Sequence, residues 1–250
     1  MYSPQTRFLL TMLFTTSWDD GHALDFTVRD VLARHSAKGT FYLCKSGYDN
    51  APLSREQILS LGETMEIGAH TLTHPSLPDL TPQKQHEEIR GSKMWLEELL
   101  GKECTMFAYP YGRSNTSSRD AVIAAGFLGA RTTRDYSWEA SDPFLLPTSV
   151  QLHPFPFRPV MNRRFLQPIQ RHWGSLRECG VPLLACRSWL AMSKALFLRA
   201  VETKKPWFHL WGHSWSAEQY GLWNDLEAFL AFVNTFGVTH VPNSALIKRI

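Results

Sequence analysis

Four cysteines in 250 residues, Cys44, Cys104, Cys179 and Cys186, are too few and too scattered for a disulfide-stapled domain, and no C-x-x-C pair suggests a zinc ribbon. They are read as free thiols. Long hydrophobic runs are also missing: the apolar stretch Phe8 to Phe14 is about half of the roughly 20 residues needed to cross a bilayer. With no basic leader or small-residue cleavage site beside it, a buried strand and a cytoplasmic location are expected. Charge of one sign is not in excess, since 26 Lys and Arg against 23 Asp and Glu leave a formal +3. Nucleic-acid binding is therefore not indicated. The one basic cluster, Arg158, Arg163, Arg164 and Arg171, reads as a solvated face, or else as a contact for an anionic glycan or a membrane surface. No internal repeat and no low-complexity linker is present.

What is there suits one large domain spanning 1–250: 44% hydrophobic residues bury a substantial core, and nine Trp and fifteen Phe leave aromatic faces for a sugar-sized pocket. Phe8 to Trp18 reads as a buried strand stopping at Asp19-Asp20-Gly21. Helical spacing over Phe26 to His35 precedes a strand at Thr40 to Cys44. A capping box at Ser54-x-x-Gln57 opens the next helix, and a short strand Glu66 to Ala69 leads into His70. Thr81-Pro announces a helix with Ile89, Met94, Trp95, Leu99 and Leu100 on its apolar side, closed by Gly101. Further strands are expected at Cys104 to Tyr109, Phe127 to Thr132, Leu145 to Leu152, Trp207 to Trp211 and Thr239 to Val241. Helices are expected through Ala121 to Ala125, over Ser188 to Val201 and around Leu222 to Phe236. Leu152 to Arg177 is rich in proline and arginine, fits neither period, and reads as a long loop or insertion. Alternating strands and helices predict an α/β fold, a distorted and incomplete barrel of about seven parallel strands.

Loops after parallel strands share one rim, so polar residues at successive strand ends converge there. Asp19 and Asp20, His70 and His74, Tyr109-Pro-Tyr-Gly112 and His213 all follow expected strands. In His70-Thr-Leu-Thr-His74, two imidazoles four residues apart can face one way on a helical turn and hold one cation. His209-x-x-x-His213 has the same spacing, so neither pair alone is specific. Two His with an Asp from another loop make an open site that leaves room for water and substrate, and a neighbouring carboxylate that does not ligate can serve as general base. The plain alternative for Asp19-Asp20-Gly21 is a turn.

Taken together, Ser17-Trp-Asp-Asp-Gly21, His70-Thr-Leu-Thr-His74, Phe107-Ala-Tyr-Pro-Tyr-Gly112 and Leu210-Trp-Gly-His213 resemble, in order and spacing, the motifs of the polysaccharide deacetylases, carbohydrate esterase family four. The resemblance covers about residues 12 to 240. It implies a distorted barrel and one divalent transition metal, usually Zn2+, with Co2+, Ni2+ or Mn2+ as alternatives, held by Asp20, His70 and His74. By the same resemblance Asp19 is the general base, the Tyr111 backbone N–H supports the oxyanion, and His213 is the acid that protonates the leaving amine. The substrate implied is an N-acylated amino sugar, a precursor or unit of a surface polysaccharide. Pro110, Trp211, Trp215 and His22 are candidate substrate contacts, although the tryptophans read equally well as core and His22 as an exposed turn residue. His209 is either a partner held behind His213 or a hydrogen-bonded core histidine.

The chain departs from the family in two places. Many members carry an Arg in the third motif that pairs with the base, where this chain has Ala108. The fourth motif is barely recognisable, and Asp135 in Arg134-Asp-Tyr-Ser-Trp138 reads as a loop residue. Two other readings follow: a metal-containing carbohydrate-binding homologue without turnover, and an amidohydrolase acting on a non-sugar C–N bond. Asp19→Asn is expected to keep its metal and lose hydrolysis, checked by metal analysis and acetate release; unchanged turnover removes Asp19 from the mechanism.

Overall fold

The computed structural model of the protein describes residues 12–46 and 51–250; the first part of the expected opening strand, Phe8 to Thr11, lies outside the described residues. The elements are β1 (Leu13–Asp20), α1 (Asp25–Arg34), β2 (Gly39–Leu43), α2 (Arg55–Thr64), β3 (Glu66–Ala69), α3 (Pro82–Leu100), β4 (Met106–Ala108), α4 (Thr116–Ala124) and β5 (Gly129–Arg131). They continue with β6 (Val150–Gln151), α5 (Gln167–Glu178), α6 (Trp189–Glu202), β7 (Trp207–Gly212), α7 (Ser214–Gln219), α8 (Trp223–Asn234) and β8 (Thr239–His240).

Every strand pair is parallel, in the order β5-β4-β3-β2-β1-β7-β6, with β8 added to the start of β1. The path does not close, because β5 and β6 are not paired with each other. This is the open, incomplete barrel the alternation predicts, seven strands in one path with a two-residue eighth beside it. β1 is central, and all eight of its residues are buried. A parallel strand flanked on both sides has both faces covered, so its outward residues must be apolar and any inward polar group must find a partner.

Both conditions are met. On the outer face Phe14 stacks on Phe208 of β7 at 6.1 Å and meets Phe197 of α6 and Phe229 of α8 edge-on or tilted at 6.5 and 6.3 Å. On the inner face Thr15 donates to Asn243, and Ser17 shares a hydrogen bond of 2.9 Å with His209. Local signals set the helices. Ser54 and Gln57 form the reciprocal cap of α2, and Gly101 ends α3 in the left-handed conformation.

One segment differs from expectation. Leu152 to Arg177 was expected to be a long loop or insertion, yet its last eleven residues belong to α5. That helix carries little apolar signal, since only Pro168 and Leu176 of its twelve residues are buried, and its proline sits in the first turn, where a missing N–H costs nothing. The six-residue α7, also unexpected, is too short to show a period. No described helix is long and apolar enough to cross a membrane. Replacing Phe229, fully buried among these rings, by Ala is expected to cost about 3–5 kcal/mol in urea unfolding; a loss under about 1 kcal/mol would show that the α8 packing closes without it.

Candidate active site

The two acids at the end of β1 point to opposite sides, because successive strand residues alternate. Asp20 faces the loop after β3. Its Oδ1 lies 3.5 Å from His74 Nε2 and 3.9 Å from His70 Nε2, and the two imidazole nitrogens are 3.2 Å apart. All three donor atoms fall within 4.8 Å of one another. His70 Nδ1 is 2.8 Å from the carbonyl oxygen of Ala108, which can only accept. The proton therefore sits on Nδ1 and the lone pair of Nε2 faces Asp20 and His74, the tautomer a metal ligand needs. Asp20 Oδ1 is buried with no hydrogen-bond partner, while Oδ2 accepts from Trp215 Nε1 at 3.0 Å. Burial and the adjacent Asp19 charge push Asp20 up to about 6 with protein groups alone. An orphaned carboxylate oxygen beside the Nε2 atoms of two imidazoles is the donor set that fits a divalent transition metal.

The spacing His70-x-x-x-His74 was expected on a helical turn. It is a loop instead, with Thr71 at φ 68° and His74 at φ 55°. Glu88 of α3 holds it, accepting from the amides of Leu72 and Thr73 at 2.8 and 2.9 Å and from the Thr73 hydroxyl at 2.7 Å. Asp20 and Tyr111 also have positive φ, 84° and 58°. Each such conformation costs roughly 1–3 kcal/mol for a residue with a side chain, and four of them at one site mark a geometry imposed by the surrounding fold. Gly112 follows Tyr111 at φ 66°, and a Cβ there would sit 2.0 Å from Thr133 Oγ1, which explains the glycine of the third motif.

Asp19 points into the barrel, where Arg131 at the end of β5 grips it. One guanidinium nitrogen, Nη2, donates to both carboxylate oxygens, at 2.5 Å to Oδ1. Both residues are buried. Burial alone would raise the Asp19 carboxyl, but Arg131, helped by His70 and His213, holds it below the usual range. Arg131 is the register partner of Ala108 on β4. Paired residues of parallel strands share a face, so the small Ala108 leaves room for the guanidinium to cross from the next strand. The charge expected of a third-motif arginine is supplied one strand over. Sequence reading missed Arg131; its only signal was a lone charge in the otherwise apolar strand Phe127 to Thr132.

A cavity of about 320 Å³ opens over these groups, lined by Asp19, His70, His74, Tyr111, Trp211, His213 and Trp215 together with Thr133. His213 Nε2 is 3.7 Å from Asp20 Oδ2, its ring lies between Trp211 and Trp215, and burial lowers its pKa. The Tyr111 ring stands edge-on to His74 at 4.8 Å. Pro110 is buried and does not line the cavity. Neither does His22, whose Nδ1 accepts from the Leu24 amide at 3.1 Å and closes a turn against Pro52. Asp135 is a half-buried loop residue: its Oδ1 accepts from Trp211 Nε1 at 2.8 Å and from Thr148 at 2.7 Å, so it anchors one wall of the cavity. His209 is a core histidine. Its Nδ1 faces the Pro147 carbonyl and its Nε2 accepts from Ser17, and burial lowers its pKa to about 3.

The open parallel barrel is the fold of the polysaccharide deacetylases. A candidate polysaccharide deacetylase from Mycobacterium smegmatis superposes with TM-score 0.68 at 16% identity over 100% of this chain and 92% of that one. A family 4 acetyl xylan esterase from Clostridium thermocellum, in complex with a cobalt ion, gives 0.59 at 13% over 95% and 91%. Those likenesses concern the fold alone. In sequence, residues 12–130 match the polysaccharide deacetylase family, a stretch that holds Asp19, Asp20, His70, His74 and Tyr111 but not His213. A peptidoglycan-N-acetylglucosamine deacetylase of Bacillus cereus is 31% identical over 98 residues, 38% of this chain and 35% of that protein. A chitooligosaccharide deacetylase of Azorhizobium caulinodans is 29% identical over 128 residues, 50% and 60% respectively. The matches thus span about a third to three fifths of these relatives.

Arg131→Ala is expected to leave a buried, unpaired carboxylate, to cost about 3–5 kcal/mol of stability and to lower turnover about a hundredfold or more, with metal content kept. Without the guanidinium, burial raises Asp19, so the acid limb of the pH–rate profile should move to higher pH; an unmoved limb would detach Arg131 from the base.

Proposed function

We propose that the protein is a metal-dependent N-deacetylase of an N-acetylated amino sugar, a unit of a surface polysaccharide or of its precursor. The observation that carries this reading is the meeting of Asp20, His70 and His74 in one donor set beside an Asp19 held ionised by Arg131. The peptidoglycan N-acetylglucosamine and the chitooligosaccharide named for the two relatives support the sugar class.

A divalent transition metal held by Asp20, His70 and His74, most simply Zn2+, would polarise the acyl carbonyl and make a water acidic near neutral pH. Asp19, ionised and oriented by Arg131, accepts the proton of the attacking water. The Tyr111 N–H donates to the carbonyl oxygen as negative charge gathers on it. His213 gives a proton to the nitrogen as the C–N bond breaks, so that an amine leaves rather than an amide anion, and acetate is the second product. Trp211 and Trp215 flank His213 and wall the acyl group. Asp19 and Asp20 divide their work because their surroundings differ: one faces a cation of the protein, the other two imidazoles.

The reading without turnover rested on the missing third-motif arginine, and the guanidinium of Arg131 beside Asp19 weighs against it. Elemental analysis should find about one equivalent of transition metal in the wild type and none in His70→Ala, with acetate released from N-acetylated sugars and not from cyclic amides or imides. Metal without acetate from any sugar would sink the deacetylase reading, and metal-free active protein would sink the metal.

A further inference from the structure

A second and larger cavity, about 440 Å³, lies behind the wall of the first. Gln151, which lines it, is the register partner of Trp211, and Ser216 and Gln219 follow Trp215 along α7. Trp211 and Trp215 line the first cavity, so the ends of β6 and β7 together with α7 separate the two. The outer walls come from the segment that fitted no expected element. Leu152 to Arg177 holds five Arg and two His and no Asp or Glu. Arg158, Arg171, His153 and His172 line the cavity, and among the described residues no acidic one does. Among the described residues neither arginine has a carboxylate within ion-pairing distance, and both side chains are exposed. The first two residues of α5, Gln167 and Pro168, also line it, which brings the positive end of a twelve-residue helix to the same space.

We propose that this cavity binds the phosphate monoester of a phosphorylated amino-sugar substrate, with Arg158 and Arg171 as its anchors. The sugar part of this proposal rests on the N-deacetylase reading above; the phosphate site stands on its own residues. Two unpaired guanidiniums match a dianion better than a single carboxylate. A phosphate monoester, whose second proton leaves near pH 6, is mostly a dianion at neutral pH and carries about one more negative charge than a carboxylate. Burial keeps His153 and His172 neutral, so the fixed charge of the cavity is that of the arginines. For a sugar ring in the first cavity, with its acetamide over Asp20 and His213, the proposal requires a phosphate on that sugar to extend past Trp211 or Trp215 into the second.

The test is a titration of the full chain with inorganic phosphate by calorimetry, on wild type, Arg158→Gln, Arg171→Gln and the double variant. These side chains lie on the surface, so the variants should fold. Binding is expected to weaken about tenfold or more in each single variant and to be lost in the double one, while Arg163→Gln, outside the cavity, binds as wild type does. In parallel, acetate release from N-acetylglucosamine 1-phosphate and 6-phosphate is compared with that from unphosphorylated N-acetylglucosamine. One of the phosphates should be preferred about tenfold or more in kcat/KM by wild type, and the preference should fall toward one in the double variant. Phosphate binding that the double variant retains, no phosphate binding at all, or glucuronate bound as tightly as phosphate would each overturn the site. Phosphate binding with no preference between the sugars would overturn its role in substrate choice. Arginine-dependent phosphate binding with no acetate from any sugar would sink the deacetylase reading and leave the phosphate site standing.

Discussion

The buried ion pair between Asp19 and Arg131 is the constraint on which the site depends. A carboxylate at the centre of a parallel sheet, covered on both faces, cannot stay ionised without a cation beside it. Arg131 supplies that cation, and its guanidinium lies over the rings of Tyr42 at 5.2 Å and Trp211 at 5.0 Å. These contacts fix its plane, so the carboxylate it holds is fixed as well. The pair also ties β5, near the edge of the open barrel, to β1 at its centre, across three intervening strands. Strand pairing alone does not set that distance. Through Trp211, which lies against the guanidinium, the same pair also supports one wall of the cavity over Asp19.

Alternation along β1 then does the rest. Ser17 and Asp19 face the interior, and Asp20 faces the histidine loop, so two adjacent acids experience opposite surroundings. One is held down by a guanidinium and the other pushed up by burial and by its neighbour. A single turn-like dipeptide therefore presents two carboxylates of different character, which is the basis for the roles proposed for them. The left-handed conformations at Asp20, Thr71, His74 and Tyr111 are the local cost, offset by the contacts that Glu88 and the sheet provide.

The interior below the site is polar and fully connected. Tyr42 accepts from Asn243, which also accepts from Thr15; Thr40 bonds Glu66 at 2.6 Å and receives the Asn243 amide at 2.9 Å. Ser17, His209 and Ser149 continue the chain toward β6. Such a network stabilises only when every member is satisfied, and it sets a rigid floor for groups that must stay within fractions of an ångström of their partners.

The sequence by itself determined the alternation of strands and helices, the open parallel barrel, and the rim where Asp19, Asp20, His70, His74, Tyr111 and His213 gather. These follow from local patterning and from the rule that loops after parallel strands share one face, and both are written along the chain. Tertiary structure alone decided that Arg131 stands in for the arginine absent at Ala108, because that depends on cross-strand register between β4 and β5. It alone decided that His70 and His74 sit on a strained loop rather than a helical turn, because Glu88 lies fourteen residues beyond His74 and reaches it only through the packing of α3. It placed His22 and Pro110 outside the cavity, and it turned the arginines of a segment with no readable period into the wall of a second one. Periodicity reports which face of an element is buried. It carries no information on which side chains from distant elements meet, and that is where the charges of this protein find their partners.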